Sequence, residues 1–246
     1  MKDYLQDLVG HTHALGNISF LKIVGTKDET LMSAMAEENS LVSVIMNGKF
    51  KSPMKEFIGT FGMPNLAKLN VILGIPEYDE DADITIQTQK RNGEVVPVGL
   101  HFENKAGDFK NDYRFMSTEI VNEKLRNLKF KGAKWDVVVT PSVASILRFK
   151  FQSQANNEEP FFTVKTENKN LKFYFGDASS HMGDFVFESK VAGSLVKGWQ
   201  WPVAPVIGIL NLVGDKVMKF SDQGALLISV DSGLIEYEYI LPAQQK

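Results

Sequence analysis

The side chains best suited to catalysis or metal binding are four histidines, His11, His13, His101 and His181. His11 and His13 lie two residues apart, which on a helix turns their rings about 200° away from each other. Imidazoles in that arrangement do not converge on one ion, so we expect no shared metal. The histidines therefore do not indicate a metal centre.

A short acidic segment has part of the pattern of a calcium-binding loop. Asp79, Asp81 and Asp83 have the alternating spacing with which such a loop begins. Ile84, however, occupies the position that requires glycine, and Lys90 occupies the position of the bidentate glutamate. We therefore interpret the segment as an ordinary acidic loop, and we predict neither a metal site nor a cofactor.

Enzymatic motifs are missing as well. The sequence has no glycine-rich phosphate-binding loop and no Gly-x-Ser-x-Gly elbow. It also has no cysteine, which excludes thiolate nucleophiles and disulfides. Scattered carboxylates such as Asp177, Asp184 and Glu188 are the only basis for an enzyme hypothesis, and their spacing does not support one. We expect a protein that is not an enzyme.

Composition sets the size and class of the chain. Its 246 residues suffice for two domains of about 120 residues each, and the net charge of −3 argues against gripping nucleic acid over the whole surface. No apolar run approaches the length that spans a bilayer, and the N-terminus has no signal-type segment. We expect no membrane partner and a cytoplasmic location, in the host cell if the protein is viral.

Most of the chain has the period-two alternation of half-buried strands. Turn residues such as Asn92-Gly93 and Ser232-Gly233 separate these segments. The predicted strands are Ile18–Val24, Asp83–Thr88, Val98–Glu103, Asp112–Met116, Phe161–Thr166, Leu171–Gly176, Asp184–Lys190, Ala225–Val230 and Leu234–Leu241.

Four stretches have helical spacing instead, at Tyr4–Thr12, Asn65–Leu73, Ser142–Gln152 and Pro202–Val213. We expect Asn65 to cap the second helix, and Thr140-Pro141 to be the cap and first-turn proline of the third. The buried stripes we expect for these two helices are Leu66, Leu69 and Leu73, and Val143, Ile146 and Leu147.

The order of these elements indicates an internal duplication. The interval from Tyr4 to Asn65, where the first two helices begin, equals the interval from Pro141 to Pro202. Strands follow each helix, so helix, strands, helix, strands occurs twice. We predict an α+β fold of two similar domains, each with antiparallel sheets and two helices. The expected boundaries are residues 1–116 and 135–246, with a lysine-rich connector at 117–134.

Local motifs in the same order resemble the sliding clamps, the processivity factors of DNA polymerases. Asn65–Leu73 is similar to the second helix of that family, and Leu100–Glu103 followed by Asp112–Met116 resembles the last two strands of a first clamp domain. Phe175–Asp177 resembles a strand and turn of the second domain, and Glu236–Ala243 resembles the tyrosine-rich final strand and proline-containing tail of proliferating cell nuclear antigen.

The resemblance implies a function. A ring of three chains would encircle duplex DNA without sequence preference and tether the replicative polymerase, with a clamp-loader ATPase as a further partner. Two domains per chain match the trimeric clamps, and the compact chain favours a bacteriophage clamp. The alternative hypothesis is a β-rich structural or assembly protein of a virion, whose ring contains no DNA.

The resemblance also assigns residues to three surfaces. Helices line the hole of a clamp, so Asp3 and Asp7 of the first helix would point toward the hole. A peptide from each partner binds beneath the interdomain connector. Edge strands close the ring, so Asp112–Ser117 would pair with Gly183–Lys190 of a neighbour. The expected DNA-facing residues are Lys68, Arg148, Ser145, Gln152 and, less centrally, Lys150. The expected partner pocket is Leu41, Ile120, Val121, Ile240, Leu241 and Pro242, and the expected subunit interface is Tyr113, Phe115, Phe185 and Phe187.

Overall fold

The computed structural model describes residues 1–38, 41–79, 81–91, 93–126, 130–177, 179 and 181–244, without the side chains of residues 37, 38, 41, 42 and 94. Asn92 of a predicted turn and residues 127–129 of the predicted connector lie outside the described residues. The helices in these residues are α1 (Lys2–Gly10), α2 (Leu66–Leu73), α3 (Thr118–Lys124), α4 (Val143–Ala155) and α5 (Val203–Leu210). The strands are β1 (Leu21–Gly25), β2 (Thr30–Glu38), β3 (Leu41–Phe50), β4 (Gly59–Met63), β5 (Asp83–Arg91), β6 (Glu94–Glu103), β7 (Lys110–Arg114), β8 (Val137–Val139), β9 (Phe161–Glu167), β10 (Asn170–Phe175), β11 (Gly183–Glu188), β12 (Gln200–Pro202), β13 (Asp215–Ser221), β14 (Ala225–Asp231) and β15 (Ile235–Pro242). None of the helices in the described part of the chain has the length and hydrophobicity of a membrane span.

The first of two compact units comprises Met1–Leu41, Ile45–Lys129 and Asp231–Tyr237. Its strands run in the order β4-β1-β2-β3, with the first part of β15 next to β3, and a second sheet has the order β5-β6-β7. Helices α1 and α2 pack against each other, and α3 packs on β4. The apolar faces of these elements form the core of this unit.

The second unit comprises Val42–Val44, Phe130–Val230 and Glu238–Lys246. The second part of β15 begins the order β15-β14-β13-β8, and a further sheet has the order β11-β10-β9-β12. Helix α4 packs on β11 and contacts α5. The core under α4 is a cluster of phenylalanine rings, namely Phe149, Phe162, Phe173, Phe175, Phe185 and Phe187.

The predicted α+β class and the repeat of element order are confirmed. Each of the nine predicted strands overlaps a strand of the structure, and all four predicted helices are present. Four strands follow α1 and three follow α2, and the same numbers follow α4 and α5. The helix spacing is not identical in the two halves, because the interval from Lys2 to Leu66 is longer than the interval from Val143 to Val203.

A fifth helix, α3, lies in the lysine-rich segment that the sequence indicated as an exposed connector. Its residues Thr118–Lys124 are polar except for two, and Val121 is the one that is buried. A single buried apolar residue leaves no recognisable helical period, which explains why the pattern did not predict α3.

Candidate functional site

Lys68 lies on the exposed face of α2, as predicted. The side-chain oxygen of Asn65 accepts the Lys68 backbone N–H at 3.1 Å, which caps the helix and fixes where it begins. Leu66, Leu69 and Leu73 are buried, so the expected apolar stripe is confirmed. The ammonium group of Lys68 therefore points to solvent from a well-anchored helix.

Helix α4 is rotated relative to the prediction. Val143 and Leu147 of the expected buried stripe are 76% and 43% exposed, whereas Phe149 is fully buried. A phenylalanine ring removes more apolar surface from water than valine or leucine, and Phe149 enters the aromatic cluster of the second unit. The ring therefore sets the rotation of the helix, and Val143, Leu147 and Phe151 form an exposed apolar face.

The same rotation corrects the prediction for Ser145, which we expected to be exposed and to face DNA. Ser145 is buried, and its hydroxyl lies 2.8 Å from the Ser142 hydroxyl. Ser142 is the N-cap, because its side-chain oxygen accepts the Ser145 backbone N–H at 3.0 Å. The predicted cap at Thr140-Pro141 is therefore wrong by two residues, and Ser145 belongs to the start of the helix.

The other polar residues predicted on α4 lie toward the edge of the unit. Arg148 is exposed, and its guanidinium carbon is 5.4 Å from the centre of the Phe185 ring on β11. Gln152 is half-buried, and its side-chain oxygen accepts from the Asn156 amide at 3.2 Å. Lys150 is half-buried as well. Arg148 and Gln152 border a groove beside β11, and Lys150 does not.

Lys216 is a further cation, which no pattern in the sequence indicates. It lies near the start of β13 and donates to the Gly214 carbonyl at 2.7 Å. Burial lowers the pKa of Lys216, the nearby Asp215 carboxylate opposes that shift, and the positive charge of Lys150 lowers the pKa further. Two lysines from distant parts of the sequence therefore contribute charge to one region of the second unit.

Asp7 on α1, which the resemblance would point toward the hole, is instead largely enclosed. Its carboxylate accepts from the Tyr237 hydroxyl at 2.7 Å and from the Ser232 hydroxyl at 2.9 Å. It also lies 3.3 Å from the ring of His11, which stacks on Tyr237. Asp7 is thus a largely enclosed anchor between α1 and β15, while Asp3 remains exposed. Of these two acids, only Asp3 adds negative charge to the exposed face of α1.

The aromatic residues predicted at a subunit interface are packed inside their own units. Tyr113, Phe185 and Phe187 are buried, and the Tyr113 hydroxyl donates to the Pro64 carbonyl. Burial raises the pKa of Tyr113 well above its ordinary value. Phe115 follows β7 and stacks on Phe61 with ring centres 4.3 Å apart. These rings anchor the two strands from within, so the surface offered outward is the strand edges and their polar side chains.

Strand β7 ends one sheet with a network of charges. The His101 ring is 2.8 Å from Asp112 and 3.3 Å from Glu103, and Lys110 is 3.0 Å from Glu103. Hydrogen bonding to Asp112, then to Glu103, raises the pKa of His101. Gln87 donates to Asp112 at 2.8 Å, so Asp112 is held by side chains of two other strands.

Strand β11 ends the other sheet and carries acids. Asp184 lies 3.1 Å from Lys172 on β10, and Lys172 also contacts Glu167 at 3.4 Å. The bond to Asp184 is the largest cause of the raised pKa of Lys172. A β-bulge in the pairing of β10 with β11 lies at the Leu171 end of the ladder, next to Glu188. Asp184 therefore lies in the regular part of this edge.

The residues predicted for a partner pocket differ in accessibility. Val121, Ile240 and Leu241 are buried core residues, which corrects the expectation that they form surface. Ile120 on α3 is 49% exposed, and Pro242 is exposed. Leu41 is the first residue of β3, and its side chain lies outside the described residues.

Comparison with known proteins identifies the fold. Among the solved structures that are similar to this chain, three PCNA structures match it essentially end to end. Archaeoglobus fulgidus PCNA, in a structure with the C-terminal region of FEN-1 bound, has a TM-score of 0.67 and 9% identity over 100% of this chain and 97% of that one. Entamoeba histolytica PCNA has a TM-score of 0.62 and 12% identity over 99% and 94%. Thermococcus kodakaraensis PCNA has a TM-score of 0.63 and 14% identity over 99% and 97%.

No protein-family model and no curated protein sequence matches the chain. The likeness therefore lies in the fold and not in the amino-acid sequence. The chain has the fold of the PCNA sliding clamps over its whole length, and the resemblance indicated by the sequence motifs is confirmed at that level.

Proposed function

We propose that this chain is the subunit of a sliding clamp, three copies of which close around duplex DNA and tether a replicative DNA polymerase. The observation that carries the proposal is the clamp fold over the full chain, with the same helix and strand order in both halves. In this proposal, residues 1–116 and 135–246 are the two clamp domains and 117–134 is their connector. The protein acts by linkage to DNA and not by catalysis.

Few cations take part in DNA contact in this proposal. Lys68, Arg148 and Lys150 remain the candidate cations from the sequence, with Gln152 as an uncharged polar candidate, and Lys216 joins them because the charge of Lys150 acts on it. A clamp needs weak, sequence-independent phosphate contacts, since tight neutralisation of phosphates would oppose sliding. The exposed apolar face of α4 and the net charge of −3 are consistent with a ring that holds DNA by enclosure.

Partner proteins would bind through short peptides. The A. fulgidus PCNA structure has the C-terminal region of FEN-1 bound. By analogy, a polymerase and a clamp-loader ATPase would each insert a segment against this chain, with exposed Ile120 and Pro242 as contact residues. We place the protein in the cytoplasm of a host cell as a bacteriophage clamp.

Retention on DNA tests the proposal directly. Loaded clamp should remain on closed circular DNA and should leave linear DNA by sliding off its ends, and linearising the circle should release it. Equal retention on both forms would refute encirclement, and it would favour the alternative of a virion assembly protein. The mass in solution should be three times 27.5 kDa. A stable monomer at all concentrations would contradict the trimer.

A further inference from the structure

An arginine without an ion pair lies on the solvent-exposed face of the β5-β6-β7 sheet. Tyr113 of β7 is buried in the core of its unit, so alternation along the strand places Asp112 and Arg114 on the opposite face. Among the residues that the structure describes, the Arg114 guanidinium has neither an ion pair nor a side-chain hydrogen bond. Its five N–H donors are therefore available to an acceptor from outside the unit.

The acids on the same face of β6 and β7 are held by other side chains. Asp112 accepts from the Gln87 amide at 2.8 Å and lies 2.8 Å from the His101 ring. Glu103 lies 3.0 Å from Lys110 and 3.3 Å from the same ring. Both carboxylates are engaged in contacts that do not include Arg114, so its positive charge stays uncompensated on this face.

A glycine in the central strand explains how Gln87 reaches Asp112. Gly99 of β6 stands between Gln87 of β5 and Arg114 of β7 in the register of the sheet. A Cβ atom at Gly99 would lie 2.7 Å from the Tyr113 carbonyl oxygen and 3.3 Å from the Gln87 side-chain oxygen. A glycine inside a strand often marks such a close approach. The Gln87 side chain therefore lies across β6, and its amide group comes next to β7.

Arg114 borders a groove in which an irregularity of the sheet gathers polar side chains. Gln87 opposes Gly99 but Thr88 opposes Pro97, so Val98 is an extra residue of β6 without an opposed partner. Such a bulge redirects the side chains around it. The groove has a volume of about 490 Å³, within the range of roughly 300–1,000 Å³ that is usual for ligand sites. Its lining residues are Gln87, Thr88, Gln89, Val98 and Arg114.

The groove offers hydrogen-bond donors and one well-placed acceptor. The Gln89 side-chain oxygen accepts from the Arg91 guanidinium at 3.3 Å, which leaves the Gln89 amide N–H groups to donate. The Thr88 hydroxyl has no partner within the described ranges and can donate as well. Gln87 donates its N–H to Asp112, so its side-chain oxygen is left to accept. Together with Arg114, these groups match a ligand that combines an anionic oxygen group with an N–H.

We propose that this groove binds an acidic residue of an extended peptide that belongs to a partner protein. The carboxylate of the peptide accepts two parallel N–H bonds from Arg114, the geometry that a guanidinium favours. The Thr88 hydroxyl and the Gln89 amide supply further donors at the groove. A backbone N–H of the peptide donates to the Gln87 side-chain oxygen, and Val98 provides an apolar wall for a neighbouring side chain.

The charges around the groove favour a carboxylate over a phosphate. Asp112 is bonded to the groove residue Gln87, and Glu103 lies on the same face of the sheet. A phosphate with nearly two negative charges is repelled by these acids more strongly than a carboxylate is. The same repulsion disfavours a nucleic acid. The groove lies within the first unit and does not include Ile120 or Pro242, so the inference is independent of the proposed ring and of its partner pocket.

Side-chain NMR of the full chain tests the site, with acetyl-Ala-Glu-Ala-amide as the probe. The side-chain amide signals of Gln87 and Gln89 should shift on titration with a dissociation constant of about 1 mM, because the contact is charge-assisted but exposed. Arg114→Gln, or glutamine in place of glutamate in the probe, should weaken binding at least about tenfold. Arg126→Gln is the matched control, since Arg126 is an exposed arginine outside the groove, and it should bind the probe as the natural chain does.

Four results would overturn the inference. The first is the absence of any shift at ten times that peptide concentration, and the second is equal binding by Arg114→Gln. The third is tighter binding of a phosphoserine peptide or of oligothymidylate, which would make the groove a phosphate site. The fourth is loss of self-association in Arg114→Gln without peptide binding to the natural chain, because another copy would then supply the acid. Retention on circular DNA is a separate measurement, so either proposal can fail while the other stands.

Discussion

The rotation of α4 decides which of its residues face outward, and replacing single residues with alanine tests it. Phe149→Ala should lower the free energy of unfolding by about 3–5 kcal/mol, because it empties a fully buried site among the rings of Phe162, Phe173 and Phe187. Leu147→Ala should cost less than about 1 kcal/mol, since Leu147 is substantially exposed. The pattern of the sequence alone predicts the reverse order for these two positions.

Urea unfolding at one fixed protein concentration measures both changes, because association would otherwise shift the apparent stability. Phe151→Ala is the matched control, as it removes the same ring from an exposed position of the same helix. A Phe149→Ala variant as stable as Phe151→Ala, or less affected than Leu147→Ala, would show that the buried side of α4 is assigned wrongly.

Three further outcomes follow from the contacts described. Asp7→Asn should cost about 1–3 kcal/mol in urea unfolding, because it weakens a largely enclosed acceptor, while exposed Asp3→Asn should cost almost nothing. His101 has a raised pKa, so its stabilising effect is present at low pH and lost as pH rises through that pKa. The thermal midpoint of the natural chain should therefore lie further above that of His101→Gln at pH 5.5 than at pH 9. Lys68→Gln removes three cations from a ring, so the slope of log binding constant against log salt on linear DNA should fall by about 2.7, and an unchanged slope would place Lys68 away from DNA.

The sequence predicted α2 correctly and α4 only in part, and the difference has a physical reason. On α2 the cap residue Asn65 and a leucine stripe agree on one rotation. On α4 the apolar residues surround much of the helix, and periodicity does not decide whether Phe149 or Leu147 is buried. The rings of the neighbouring sheets decide it, and they come from distant parts of the chain.

The exposure of a candidate site residue could be predicted where the periodicity of a single helix decides it, as for Lys68. Lys216 could not be predicted as a candidate, because the effect of the Lys150 charge on it arises only in the folded chain. The burial of Asp7, Val121 and Ile240 was not predicted either. Residues of these types also occur on protein surfaces, and only tertiary packing shows that these three are enclosed.

Strand β15 has a practical consequence for dissecting the molecule. Its residues up to Tyr237 belong to one compact unit and those from Glu238 onward to the other, although both come from the last part of the chain. A gene cut in the middle would thus deprive the leading fragment of residues 231–237, which complete its core. Expressing that fragment alone would leave the edge of β3 unpaired and invite aggregation, whereas supplying the missing heptapeptide in trans should rescue its solubility.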